Sequence, residues 1–114
     1  MENAISPGDI YWLMPQEENA IAHPQVVIAV ETSSEGVTVT LCALTTNMRK
    51  LNMPGNVLLD EGEGRLPKRS IIEVGKVQTV AVNDLGDTIG RLSSQRIDQI
   101  WAGIRFIETS FLNK

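Results

Sequence analysis

Apolar positions along this chain recur mainly with the period of a β-strand, and only near the end with the period of a helix. Asp9-Ile10-Tyr11-Trp12-Leu13 follows the turn signal Pro7-Gly8 and reads as a first strand. Residues 25–31 form a short apolar run rich in β-branched side chains, entered after Pro24 and left through Thr32-Ser33-Ser34-Glu35-Gly36. In residues 37–44 the pattern alternates, with Val37, Val39 and Leu41 on one side and Thr38, Thr40 and Cys42 on the other. The short, turn-rich gap between these two runs predicts a hairpin. Residues 56–59 make a further short strand, closed by a polar turn at 60–64, and residues 70–82 a long β-rich stretch in which Gly75 marks a bulge or bend. After Ser93-Ser94-Gln95-Arg96, with Ser93 or Ser94 as cap, Ile97, Ile100, Trp101, Ile104, Ile107 and Phe111 recur at helical spacing. The predicted fold is mainly β: a small antiparallel barrel followed by one C-terminal amphipathic helix. The apolar stripe of that helix is expected to pack on the barrel, and the alternative is that part of it serves a homodimer or partner interface.

The 114 residues leave room for one domain, spanning 1–114. Hydrophobic residues at 42% and charged residues at 21% are the proportions of an ordinary globular domain. Ten Lys and Arg stand against 14 Asp and Glu, a net charge of −4, which taken whole argues against a nucleic-acid binder. The distribution changes that reading. Residues 1–48 hold no Lys or Arg, whereas Arg49, Lys50, Arg65, Lys68, Arg69 and Lys76 all fall within 49–76. The chain is acidic in its first half and mildly basic in the middle.

Several chemistries find no support. The start lacks the basic and apolar regions of a secretory signal, and the longest apolar run, Val26-Val27-Ile28-Ala29-Val30, is far short of the ~20 residues of a membrane span, so a cytoplasmic location is expected. Cys42 stands alone in a strand pattern and reads as a buried, inert thiol. One His and one Cys cannot form a zinc cluster of familiar spacing, and Asp60-Glu61-Gly62-Glu63-Gly64 reads more simply as a turn than as a cation site. The glycines at 62 and 64 do not continue into a phosphate-binding loop. No metal and no cofactor is expected.

Seven segments, in order, resemble the MazF/PemK toxin family. Gly8-Asp9-Ile10-Tyr11 looks like the family's opening Gly-Asp-aliphatic-aromatic motif, and His23-Pro24-Gln25-Val26-Val27-Ile28 like its Arg-Pro second strand. Leu41-Cys42-Ala43-Leu44-Thr45-Thr46-Asn47 resembles the third strand, which ends in Thr-Ser/Thr-Asn, and Pro54-Gly55-Asn56-Val57-Leu58-Leu59 the segment after it. Gly64-Arg65-Leu66-Pro67-Lys68-Arg69-Ser70-Ile71-Ile72, Lys76-Val77-Gln78-Thr79-Val80 and Ile89-Gly90-Arg91-Leu92-Ser93 complete the series. No single motif is specific; their order over residues 7–107 carries the resemblance. It implies an SH3-like barrel with a C-terminal helix, shared with the CcdB toxins, working as a homodimer. It implies a toxin of a type II toxin–antitoxin system, a metal-independent endoribonuclease (an mRNA interferase) that cuts single-stranded RNA to 2′,3′-cyclic phosphate and 5′-hydroxyl ends. A cognate antitoxin is the implied protein partner, and DNA binding belongs to the complex of the two. No membrane partner is implied.

In the family the chemistry is assigned to an Arg before the second-strand Pro and a Thr in the third-strand motif. Thr45 falls on the Thr position, and its hydroxyl can donate to a phosphate oxygen from a side chain stiff at χ1. His23, the one histidine of the chain, replaces the Arg. A neutral imidazole is a better general base than guanidinium but supplies no permanent cation. Three roles stay open for His23: base in catalysis, positioning only, or a substitution that leaves an inactive RNA-binding member. Phosphate and RNA contacts are expected from Thr46, Asn47, Arg49, Lys50, Arg65, Lys68, Arg69, Ser70, Lys76 and Gln78. Tyr11 or Trp12 is a candidate for base stacking, with the other turned inward. Glu17 and Glu18 lie in the connection that overlies the RNA groove in the family, either as a solvated loop or as a limit on what enters. The runner-up function is a non-enzymatic, CcdB-like inhibitor of DNA gyrase, although Phe111-Leu112-Asn113-Lys114 does not match the tail such inhibitors use.

Overall fold

The computed structural model describes residues 4–15 and 21–112, without the side chains of 111 and 112; Glu17, Glu18 and the Phe111 side chain therefore lie outside the described residues. Its elements are β1 (Asp9–Leu13), β2 (His23–Ser33), β3 (Gly36–Thr45), β4 (Val57–Leu59), β5 (Ser70–Ala81), β6 (Leu85–Arg91) and α1 (Ser94–Leu112), with short 3-10 turns at Met48–Asn52, Glu63–Arg65 and Val82–Asp84. The strands form one antiparallel sheet in the order β4-β5-β3-β2-β1-β6.

The predicted hairpin is β2–β3, turning at Ser34-Glu35 with Ser33 paired to Gly36. Gly75 does sit in a bulge. Val77 pairs with Cys42 and Glu73 with Ala43, so residues 74–76 have no counterpart on β3. A second irregularity leaves Ile28 unmatched between the Val27–Leu41 and Ala29–Thr40 pairs. The freed carbonyl of Ile28 accepts a hydrogen bond from Trp101 Nε1 at 3.2 Å, which ties α1 to β2. Bulges bend strands, and here they coil the sheet. Its edges meet through the Glu63–Arg65 turn, which packs on β6 so closely that a Cβ at Gly90 would strike the Gly64 carbonyl.

Strand β6 is not apparent in the sequence. Asp87 and Thr88 are exposed, glycines stand at 86 and 90, and no alternation marks the segment, because it is an edge strand paired, among the described residues, only with β1.

The helix starts where its cap predicts: Ser93 Oγ accepts from the Arg96 N–H at 3.2 Å. Ile97, Ile100 and Ile104 enter the main core with Ile10, Val26, Cys42, Leu44 and Ile72, while Trp101 and Ile107 pack at its margin. Full burial of one such isoleucine contributes roughly 1.5–3 kcal/mol. Gly103 allows α1 to come against residue 55, since a Cβ there would overlap the Gly55 carbonyl. A smaller cluster of Val27, Val39 and Leu41 lies on the other face of the sheet, covered by Tyr11, Leu13, Val30, Val80 and Leu85. No helix among the described residues is long and apolar enough to cross a membrane.

Candidate active site

The face that carries the smaller cluster continues into an open cleft. Register explains why. Tyr11 pairs with Gln25, Gln25 with Ala43, and Ala43 with Glu73, so these four residues form one row across β1, β2, β3 and β5. Residues two apart on a strand share a face, which brings His23 beside Gln25 and Thr45 beside Ala43. Ala43, the smallest side chain of the row, forms the floor where bulkier residues would fill the space. The cleft measures about 370 Å³ and is lined by His23, Gln25, Ala43, Leu44, Thr45, Lys50, Glu73, Lys76, Val77 and Gln78.

Thr45 ends β3, and its Oγ1 accepts a hydrogen bond from the Asn47 N–H at 3.1 Å. The next link runs the same way: Asn47 Oδ1 caps the following 3-10 turn by accepting from the Arg49 N–H at 3.1 Å. The Lys50 N–H then donates to the Asn47 carbonyl at 3.0 Å, and the Lys50 carbonyl accepts from Asn56 Nδ2 at 2.9 Å. Asn56 closes the circuit by accepting at Oδ1 from the Val74 N–H, 3.0 Å away in the β5 bulge. The Thr45-Thr46-Asn47 segment thus holds a hydroxyl oxygen as acceptor, keeps its proton for donation, and fixes the backbone of Lys50 at the edge of the same cleft.

His23 is exposed and lines both this cleft and a smaller adjoining one of about 160 Å³, formed with Pro24, Leu44, Thr45, Thr46 and Ser70. Ser70 is buried there, and its hydroxyl donates to the Lys68 carbonyl at 3.0 Å, which leaves the oxygen free only to accept. A third depression, beyond Thr46, gathers Met48, Glu61, Lys68 and Arg69. Of the residues predicted for RNA contact, Lys50, Lys76 and Gln78 join His23 and Thr45 directly, and Thr46, Ser70, Lys68 and Arg69 extend the surface. Arg49 is exposed on the 3-10 turn and lines none of these depressions. Arg65 does not converge with the others either: it sits in the turn that packs on β6, with φ of 64°. The register places Tyr11 on the cleft face and Trp12 on the opposite side, where it is 40% exposed at the end of β1.

Two polar residues of the cleft, Gln25 and Glu73, are not among those the sequence predicts. Both are buried, at 5% and 8% exposure. The signal available was a polar residue at the inward positions of two apolar β-runs, and it becomes legible only when the strands are aligned. Lys76 Nζ lies 3.6 Å from Glu73 Oε1, so the carboxylate and the ammonium screen each other at the cleft wall. Cys42, behind the row, donates through Sγ to the Glu73 carbonyl at 3.1 Å. Burial, with the Glu73 charge second, pushes its thiol up to about 12, which disfavours the reactive thiolate.

A family model described as "PemK-like, MazF-like toxin of type II toxin-antitoxin system" matches residues 6–107. The chain is 30% identical over 107 residues to "Endoribonuclease MazF6" of Mycobacterium tuberculosis (strain ATCC 25618 / H37Rv), covering 89% of this chain and 94% of the relative. The same figures hold for "Endoribonuclease MazF2" of Mycobacterium bovis. Among solved structures, "Mycobacterium tuberculosis toxin MazF-mt6" superposes with a TM-score of 0.65 at 25% identity, covering 84% of this chain and 91% of that one. An "Endoribonuclease in complex with its cognate antitoxin from Mycobacterial species" shares the fold, with a TM-score of 0.70 at 17% identity and 90% and 93% coverage. These likenesses favour the nuclease reading over the gyrase-inhibitor alternative. The chain belongs to the PemK-like, MazF-like toxins of type II toxin–antitoxin systems.

Proposed function

We propose that this protein is the toxin of a type II pair, an endoribonuclease that cuts single-stranded RNA in the cleft between His23 and Thr45 without a metal ion. The observation that carries the reading is the convergence of an exposed imidazole, a threonine hydroxyl with its proton to spare, and Lys50 in one cleft. RNA supplies its own nucleophile. His23 takes the proton from the 2′-hydroxyl as the oxygen attacks the adjacent phosphorus. The new 2′-O–P bond closes a 2′,3′-cyclic phosphate while the bond to the 5′-oxygen breaks, and that oxygen leaves with a proton from solvent. Thr45 donates to a non-bridging oxygen as charge builds, and the Lys50 ammonium stabilises the same charge. Thr46, Lys68 and Arg69 extend the strand's path beyond the cleft, whereas the Ser70 hydroxyl, its proton held by the Lys68 carbonyl, has none to give a phosphate. The toxin works as a homodimer in the cytoplasm, and its antitoxin is the second partner, as the complexed mycobacterial neighbour supports.

The test is incubation of purified protein with a long single-stranded RNA in EDTA, with the fragment ends mapped. Cyclic phosphates and 5′-hydroxyls are expected, lost in both His23→Ala and Thr45→Ala. Intact RNA at all protein concentrations overturns the proposal.

A further inference from the structure

Gln25 is 5% exposed, and its Oε1 is sealed from solvent with no hydrogen-bond partner among the described residues. A buried acceptor without a donor is destabilising, and an apolar side chain of similar size would serve the fold better. The Gln25 side chain lines the cleft, in the row that also holds Glu73. Glu73 is 8% exposed and, as a carboxylate, only accepts. Its one ion-pair partner among the described residues, Lys76 at 3.6 Å, leaves most of its acceptor capacity unused. The two side chains stand on β2 and β5 with Ala43 of β3 between them. Strands two apart are separated by roughly 10 Å, so the alanine leaves a slot about one nucleobase wide, flanked by the Gln25 amide group, its oxygen turned away from solvent, and the Glu73 carboxylate.

We propose that Gln25 and Glu73 form a base-reading subsite for a nucleobase that carries an exocyclic amino group, with uracil disfavoured. The inference rests on the RNA-cleft reading above and adds the class of base to it. Carboxylates and amide oxygens read bases by accepting from their amino groups. Guanine fits most fully, because its adjacent N1–H and N2–H donors match both oxygens of one carboxylate. The last torsion of Gln25 is soft, so a modest rotation brings the amide to the incoming base. The Glu73–Lys76 pair keeps the local charge near neutral, which permits a carboxylate beside an RNA strand. The acidic residue in the cleft then selects the base, while His23, Thr45 and Lys50 handle the phosphate.

The experiment measures binding of short 2′-fluoro oligonucleotides, which lack the nucleophile and stay intact, to the full-length protein and to Gln25→Leu and Glu73→Gln. All-uridine oligomers are compared with oligomers that carry one guanosine, adenosine or cytidine. Wild type is expected to bind at least one amino-bearing oligomer about tenfold more tightly than the all-uridine one, and each variant to lose most of that difference. Thermal melting reports folding, and Gln25→Leu is expected to melt at or above the wild-type temperature. Equal binding of all oligomers by wild type, or a preference unchanged in both variants, overturns the subsite. Natural RNA left uncut in parallel counts against the nuclease reading alone, because the binding comparison does not depend on cleavage.

Discussion

The Asn47 N–H donates to Oγ1 of Thr45 at 3.1 Å, two residues away. This short bond turns the end of β3 away from the sheet, occupies one lone pair of the hydroxyl, and leaves its hydrogen for an external acceptor. Thr45→Val, of nearly equal volume, removes that hydrogen and should lower kcat for RNA cleavage roughly 10²–10³-fold, the scale of a single lost oxyanion donor. Thr45→Ser should retain most activity. Equal rates for the wild type and Thr45→Val, measured at saturating RNA, would remove Thr45 from the chemistry.

His23 separates base from cation. Acting as the base, it makes His23→Ala slower by roughly 10²–10⁴-fold, and His23→Arg, which restores the residue of the family but a group that does not deprotonate, should recover only part of the wild-type rate. Single-turnover cleavage rates of the two variants on one RNA substrate check it. Full activity in His23→Arg would show that only a positive charge is needed.

Glu63 and Arg96 join the β4–β5 connection to α1 by two hydrogen bonds, Nε to Oε2 at 2.7 Å and Nη2 to Oε1 at 3.0 Å. The Arg96 hydrogen bond holds the Glu63 carboxyl below its ordinary value of 4.5. A lowered folded-state value means stability that is complete above the unfolded value and lost as pH falls through the folded one. The side chains are about a quarter exposed, so the pair contributes ~1 kcal/mol. Glu63→Gln should therefore melt a few degrees below wild type at pH 7, and the gap should close as pH drops below 4.5. Melting curves across pH check it, and a gap that does not change would mean the charge is irrelevant.

Gly103→Ala forces a methyl group against the Gly55 carbonyl and the Val74 side chain. Overpacking at such a contact costs typically 1–3 kcal/mol. Chemical denaturation should show a lower midpoint with an unchanged slope. An unaltered midpoint would show that α1 shifts without cost.

Cys42, with its thiol pushed up to about 12, should resist alkylation at pH 8 in the native protein and react at once on unfolding. Mass spectrometry after iodoacetamide treatment distinguishes the two, and rapid native labelling would contradict its burial.

Period by itself determined much of this molecule. Alternation in 37–44, the β-branched run in 25–31 and the 3.6-residue stripe from Ile97 to Ile107 specify two paired strands and a capped helix, because side-chain direction follows from backbone geometry alone. The order of motifs pointed to His23 and Thr45 as a pair across the second and third strands. Tertiary structure decided the rest. Strand β6 takes its conformation from pairing with β1, since its own residues show no period. Arg65 and Lys68 are three positions apart in sequence, yet the 3-10 turn sends one to β6 and leaves the other near Thr46. Gln25 and Glu73 lie 48 positions apart and share a row, across Ala43, only through a register set by two bulges. Pairing across strands is non-local: each strand announces its own alternation, but which residues share a row is fixed only when the strands have paired.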